Sequence, residues 1–189
     1  MAFDLTEYTI RRKVFKIFGA SFHIYDPSGN VVGFSKQKAF KLKEDIRVYS
    51  DASMAEELLT VKARQVIDFS AAYDIVDAKE SRKVGAARRK GFASIVQDTW
   101  EILDESDRAV AKVREDSLAL ALVRRFLLNL VPQKFTVEGE GGRKEAELRV
   151  RFNPFIYKLD VRVDPGATLD RRLILGAAVL VSAIEGRQG

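Results

Sequence analysis

Leu173-Ile-Leu-Gly-Ala-Ala-Val-Leu-Val-Ser-Ala-Ile184 contains a single polar residue, Ser182. The composition predicts a helix over about residues 169–185. It opens after the turn-forming Asp164-Pro-Gly-Ala-Thr168, with Thr168 as N-cap, and stops at Gly186. Such a helix has no solvent face. A helix apolar around its whole circumference is either enclosed by protein or placed in a bilayer. Twelve residues rise about 18 Å, short of a ~30 Å hydrocarbon core. Arg171, Arg172 and Glu185 also bracket the run closely. Length therefore favours enclosure over a transmembrane segment.

The rest of the chain supplies the enclosure. Phe22-His-Ile-Tyr25, a turn of Asp26-Pro-Ser-Gly-Asn30 and Val31-Val-Gly-Phe34 read as a β-hairpin, because Asp, Pro and Gly provide the acceptor, fixed φ and positive φ of a tight turn. Weaker turn signals recur at 50–56, 77–82, 104–108 and 138–142. With strands near 8–15 and 157–163 the count reaches about a dozen. That many strands close into a barrel wide enough to need a filler, and Gly176, Ala177, Ala178 and Ala183 keep the helix thin enough to serve. The expected fold is mainly β: a closed barrel of about twelve strands around a buried apolar C-terminal helix, as a single domain over 1–189. One outer helix is expected at about 116–130, with Asp116 or Ser117 as cap and Pro132 as stop.

Two parts of the strand region are copies. Gly33-Phe-Ser-Lys-Gln-Lys-Ala-Phe40 reappears as Gly85-Ala-Ala-Arg-Arg-Lys-Gly-Phe92, and Phe22–Asp26 answers to Tyr73–Asp77 one residue out of step. A repeat of this size is a supersecondary unit used at least twice.

Composition bounds function loosely. The 189 residues carry a net charge of +5 and no cysteine. Absence of cysteine excludes disulfides, thiolate metal sites and a Cys nucleophile, and suits a reducing compartment. The basic balance fits anionic partners and equally fits solubilising surface. The N-terminus has no secretory pattern, so a cytoplasmic location, with peripheral placement at a membrane, is expected.

In order, Phe22-His-Ile-Tyr-Asp-Pro-Ser-Gly-Asn-Val-Val32, Lys41-Leu-Lys-Glu-Asp-Ile-Arg-Val-Tyr49, Pro132-Gln-Lys-Phe-Thr-Val-Glu138 and the closing Asp170-Arg-Arg-Leu173 resemble the LURP-one-related family. The resemblance runs from about Tyr8 to Glu185. It places the chain in the tubby C-terminal-like superfamily, which also holds the phospholipid scramblases. It implies a barrel threaded by its C-terminal helix and a non-enzymatic module. Tubby-type barrels bind phosphoinositides, whereas the LURP-one-related branch has no settled activity. Scramblase chemistry is not expected, because the palmitoylated cysteines are missing.

Candidate ligand-binding residues are cationic. Lys36 and Lys38 share a face if residues 33–40 form a strand, and Lys41 and Lys43 follow. The repeat sets Arg88, Arg89 and Lys90 at the matching place. Two such ridges suit phosphate oxygens, while outward lysines also simply discourage edge pairing. Arg11-Arg-Lys13 and Lys16 read either as a membrane-facing cluster or as a solvated strand face. Arg171 and Arg172 sit where the helix dipole disfavours cations, which calls for anionic partners, either carboxylates from strand ends or a bound phosphate. His23, the single histidine, reads as an outward strand residue beside a turn, and Trp100 and Phe92 as packing between wall and helix. No calcium-loop pattern, metal-ligand set, cofactor motif or catalytic constellation stands out, and bases would lack the interleaved aromatics on which nucleic acids stack. Two functions remain: a module for anionic lipid headgroups or phosphorylated ligands, and a protein-interaction scaffold. Convergence or dispersal of the cationic strands discriminates them.

Overall fold

The computed structural model describes residues 2–15, 19–37, 46–64, 72–89, 99–115, 133–151 and 156–185. Among these, twelve strands form one closed antiparallel barrel. They are β1 Glu7–Phe15, β2 Gly19–Tyr25, β3 Val31–Gln37, β4 Ile46–Tyr49, β5 Glu57–Ala63, β6 Ala72–Asp77, β7 Arg82–Arg89, β8 Thr99–Asp104, β9 Ala109–Glu115, β10 Lys134–Glu138, β11 Lys144–Arg151 and β12 Tyr157–Val163. Order around the barrel follows chain order, and β1 closes on β12 from Glu7 opposite Arg162 to Arg12 opposite Tyr157. Closure gives every strand a neighbour on both sides. The helix expected at 116–130 lies outside the described residues.

Inside runs α1, Arg171–Glu185. From Leu173 to Ala183 its side chains are buried, none above 3% exposed among the apolar residues. Inward strand residues such as Ile10, Ile24, Val61, Ile75, Ile102, Val113, Leu148 and Leu159 surround it in one continuous core. Each large aliphatic side chain so enclosed contributes about 1.5–3 kcal/mol. The one hydroxyl in the run is satisfied locally, with Ser182 Oγ donating to Ala178 O at 2.9 Å. Small residues set the clearance. A Cβ on Gly176 would lie 2.8 Å from Ile75 Cδ1, and one on Gly85 would lie 2.9 Å from Leu173 Cδ2. No described helix is long and apolar enough to cross a membrane.

The repeat has a shorter unit than the sequence comparison indicates. Each of five hairpins carries a β-bulge just after its turn, leaving one residue of the second strand unpaired: Val32, Leu58, Val84, Val110 and Glu145. The first four recur every 26 residues, so the 52-residue match joins alternate hairpins. The missing residue of register is also explained. The first turn closes from Asp26 N to Asn30 O, whereas its copy runs from Asp77 to Arg82 and holds one residue more. Bulges tighten local twist and tip side chains at barrel rims. Here they gather at the end where α1 begins.

Candidate functional site

The predicted site residues among those described fall at the barrel mouth, where α1 starts, and on the strand wall.

At the mouth, the lead-in to α1 is held by Glu145, the bulge residue of β11, which is 1% exposed. Its carboxylate accepts from Thr168 N at 2.7 Å, Leu169 N at 2.9 Å and Arg143 Nε at 3.0 Å. Because Glu145 takes Thr168, the helix starts later than Thr168 capping implies. Asp170 is the cap, its Oδ1 accepting from Arg172 N at 2.8 Å. The two arginines of the first turn have protein partners. Arg172 Nη2 meets Asp170 Oδ2 at 2.7 Å, and its Nη1 meets Asp77 Oδ2 at 2.9 Å and Glu80 Oε2 at 3.5 Å. Arg171 Nη1 donates to Asp4 O at 2.8 Å. The hydrogen bonds that Arg172 donates to Asp170 and Asp77 hold it above the ordinary arginine range. Burial alone would raise the Asp77, Asp170 and Glu145 carboxyls, but their hydrogen bonds outweigh it and hold all three below the usual range. Of the two arrangements foreseen for these arginines, the geometry displays carboxylates and a carbonyl around them.

On the wall, Lys36 is exposed on β3 and Arg88 is exposed on β7. They occupy equivalent places in their hairpins, opposite Ser21 and Ala72 respectively, but β4, β5 and β6 stand between β3 and β7. Arg88 is paired, Nη2 lying 2.7 Å from Glu101 Oε2. Arg89 faces the interior, directly opposite Trp100, with its guanidinium 5.9 Å from the ring. Trp100 lies in the core as foreseen. Lys38, Lys90, Lys41, Lys43, Lys16 and Phe92 lie outside the described residues. The triplet Arg11-Arg-Lys13 splits by strand alternation. Arg11 and Lys13 are exposed, whereas Arg12, 6% exposed, faces inward opposite Phe22 and is no part of a solvated face.

Barrel closure assembles a basic face that the linear sequence does not display. Lys13 and Lys36 flank Ser21 across β1, β2 and β3. One pair further along, His23, Arg11, Lys158 and Arg151 stand in a row across β2, β1, β12 and β11. In the next row Thr9, Asp160 and Arg149 lie side by side. Directly opposed like charges on neighbouring strands repel, yet among the described residues no carboxylate lies within ion-pair distance of Arg11, Lys158 or Arg149. Arg11 instead rests over the Tyr25 ring at 4.5 Å. His23 packs edge-on against Phe34 at 5.0 Å, and burial, then the Lys13 charge, lowers its pKa. An open groove of about 420 Å³ runs along this face, with Arg11, Tyr25, Arg149, Arg151, Lys158 and Asp160 in its lining. Residues of β11 and β12 were not singled out by sequence. Their signal was present, as Arg149-x-Arg151 and Lys158-x-Asp160-x-Arg162 alternate on strands, but only the β1–β12 pairing sets them beside Arg11.

Among the described residues, no three His, Asp or Glu side chains are grouped so as to hold a metal ion.

A closed twelve-strand barrel filled by its own C-terminal helix has the architecture of a tubby-like domain. The family model for LURP-one-related proteins matches residues 33–182, most of the chain, and the chain belongs to that family. No curated protein matches it.

Proposed function

We propose that this LURP-one-related barrel is a non-catalytic binding module that seats on anionic phospholipid headgroups at a cytoplasmic membrane surface. The observation that carries the reading is the row of Arg11, Lys158 and Arg151, three cations opposed on adjacent strands with Lys13 and Lys36 beside them. Such a row is unfavourable in isolation and favourable against a surface of negative charge, where each basic residue adds about 1 kcal/mol. Lys36 belongs to this face, and Lys38 and Lys90 remain proposed contributors. Arg88, Arg89, Arg171 and Arg172 have partners or an inward placement, so their proposed role is structural.

Liposome flotation tests the reading. Retention is expected on phosphatidylcholine vesicles containing 30% phosphatidylserine (about a third of the lipid, enough to set a negative surface potential), but not on phosphatidylcholine alone. It should weaken as salt rises, because exposed charges are screened beyond ~8 Å at physiological ionic strength. The quadruple variant Arg11→Gln, Lys13→Gln, Lys36→Gln, Lys158→Gln should lose on the order of 10²-fold in affinity or more. Equal retention of variant and wild type, or no wild-type binding, would favour the second reading, a soluble protein-interaction scaffold. That reading draws on the separation of Lys36 from Arg88 and on the pairing of Arg88 with Glu101.

A further inference from the structure

The barrel wall is closed, but its pairing does not run evenly to the rim. Pairs between β9 and β10 end at Lys112 opposite Glu138. Ala109, Val110 and Ala111 continue toward the rim with β8 alone beside them. β10 meanwhile leads into the tip Gly139-Glu-Gly-Gly142, and among the described residues no backbone hydrogen bond joins that tip to β9. A strand paired on one side turns every second N–H and C=O to the other. The same overhang occurs on β7, where residues 82–84 run past the last β8 pair, Gly85 opposite Asp104. There the next turn closes over it, with Arg82 meeting Glu105 at 3.2 Å and Lys83 meeting Asp107 at 2.7 Å. At β9 the next tip is built of glycine, and a Cβ on Gly141 or Gly142 would meet nothing within 4 Å. The gap is a cavity of about 650 Å³, with residues 109–111 on one side and the tip on the other.

A second cavity of about 430 Å³ adjoins it over the start of α1. The two share Val110 and Glu140, and the second adds Val84, Leu169 and Leu173 as an apolar floor. Six cations and six carboxylates line the pair of cavities. Five of each are matched: Arg82 with Glu105, Arg108 with Asp104, Arg114 with Glu138, Arg143 with Glu145 and Arg172 with Asp170. Lys112 and Glu140 are left, both exposed and both without an ion pair among the described residues. A cleft with balanced charge offers little to a multivalent anion. A peptide suits it better, because main-chain amides are neutral dipoles that a half-paired strand can bond. The two free charges, of opposite sign, would fix the direction in which the peptide lies.

We infer that the cleft between β9 and the 139–142 tip binds an extended segment of a partner protein by strand addition to residues 109–111. An acidic side chain of that segment meets Lys112. An apolar one, two or three positions nearer the rim at about 3.3 Å per residue, covers Val110, Leu169 and Leu173. A basic one beyond it meets Glu140. The inference rests on neither reading of the basic face, since no cleft residue belongs to that face.

A phage-displayed library of random octapeptides, selected on the immobilised full chain, supplies the probes. Enriched sequences should carry an acidic, an apolar and a basic residue in that order. Fluorescence anisotropy then measures the most enriched peptide, synthesised with a dye. Lys112→Glu and Glu140→Lys should each weaken it about tenfold or more without moving the thermal midpoint. The double reversal should recover binding toward a peptide whose two charges are exchanged. Lys62→Gln, on the exposed face of β5, should change nothing. Strand addition is tested on the peptide backbone, with two versions N-methylated at alternate positions. The version methylated on the β9 side should lose about tenfold or more, and the other should keep its affinity. No enriched sequence, indifference to both charge reversals, or equal binding by the two methylated versions would overturn the inference. Peptide binding without vesicle retention would sink the headgroup reading alone, and vesicle retention without peptide binding would sink this one alone.

Discussion

Replacing Val179 by aspartate is expected to abolish the cooperative thermal transition. Val179 is fully buried at the middle of α1, and the strand side chains around it are apolar. A carboxylate there has no partner and no route to water. Removing one charge from water without compensation costs several kcal/mol even after relaxation, against a total stability of about 5–15 kcal/mol for a typical domain. Among the described residues α1 is the one α-helix, and it occupies the interior. Circular dichroism on heating checks this. A V179D protein that melts cooperatively within a few degrees of wild type would mean that α1 is not enclosed.

The second large effect concerns Glu145. Its replacement by alanine strips the acceptor from two backbone donors, Thr168 N and Leu169 N, at the point where the chain turns into the barrel. Each orphaned donor in this part-buried site costs about 1–3 kcal/mol, so a loss of roughly 3–5 kcal/mol is expected in urea unfolding. The pH dependence carries the same signature. Glu145, Asp77 and Asp170 have folded pKa values below their ordinary ones, so the unfolded chain binds more protons in acid. Their contribution is complete above the ordinary carboxylate values and is lost as pH falls from about 4.5, the ordinary value for Glu, through the depressed folded values. Glu145→Ala should therefore flatten the acid limb of stability as well as lower its plateau. An unchanged acid limb would show that Glu145 is not anchoring the helix.

How far the sequence discloses this molecule depends on which physical constraint each feature obeys. Leu173–Ile184 has no polar stripe, and a short helix without one has a single soluble destination, so the barrel-with-filler plan was legible. Turns were legible where Asp or Gly carries the geometry, as at Asp26–Asn30 with Gly29 and at Asp104–Arg108 with Asp107. The repeat was legible only at double its true period. What each hairpin preserves is a bulge, and a bulge can be occupied by Val, Leu or Glu, as Val32, Leu58 and Glu145 demonstrate. The helix start was misplaced by two residues, because Thr168 is a good cap by type and Glu145, 23 residues earlier in the chain, takes its N–H. The basic face was half legible. Arg11, Lys13 and Lys36 stand out as charges, but their union with Arg149, Arg151 and Lys158 depends on which strands meet when the barrel closes. Likewise, a run such as Arg88-Arg89 reads as one ridge until strand parity sends Arg89 toward Trp100 and leaves Arg88 with Glu101.

The most direct test of the proposed face uses the absence of cysteine from the chain. Single cysteines at positions 23, 36, 62 and 112, each carrying an environment-sensitive fluorophore, report which side of the barrel meets a membrane. His23 and Lys36 lie on the basic face, whereas Lys62 on β5 and Lys112 on β9 lie on other sectors. With anionic vesicles bearing headgroup nitroxides, quenching should be strong at 23 and 36 and several-fold weaker at 62 and 112. Uniform quenching at all four positions, or strongest quenching at 62 or 112, would contradict the assignment of the β3-β2-β1-β12-β11 face.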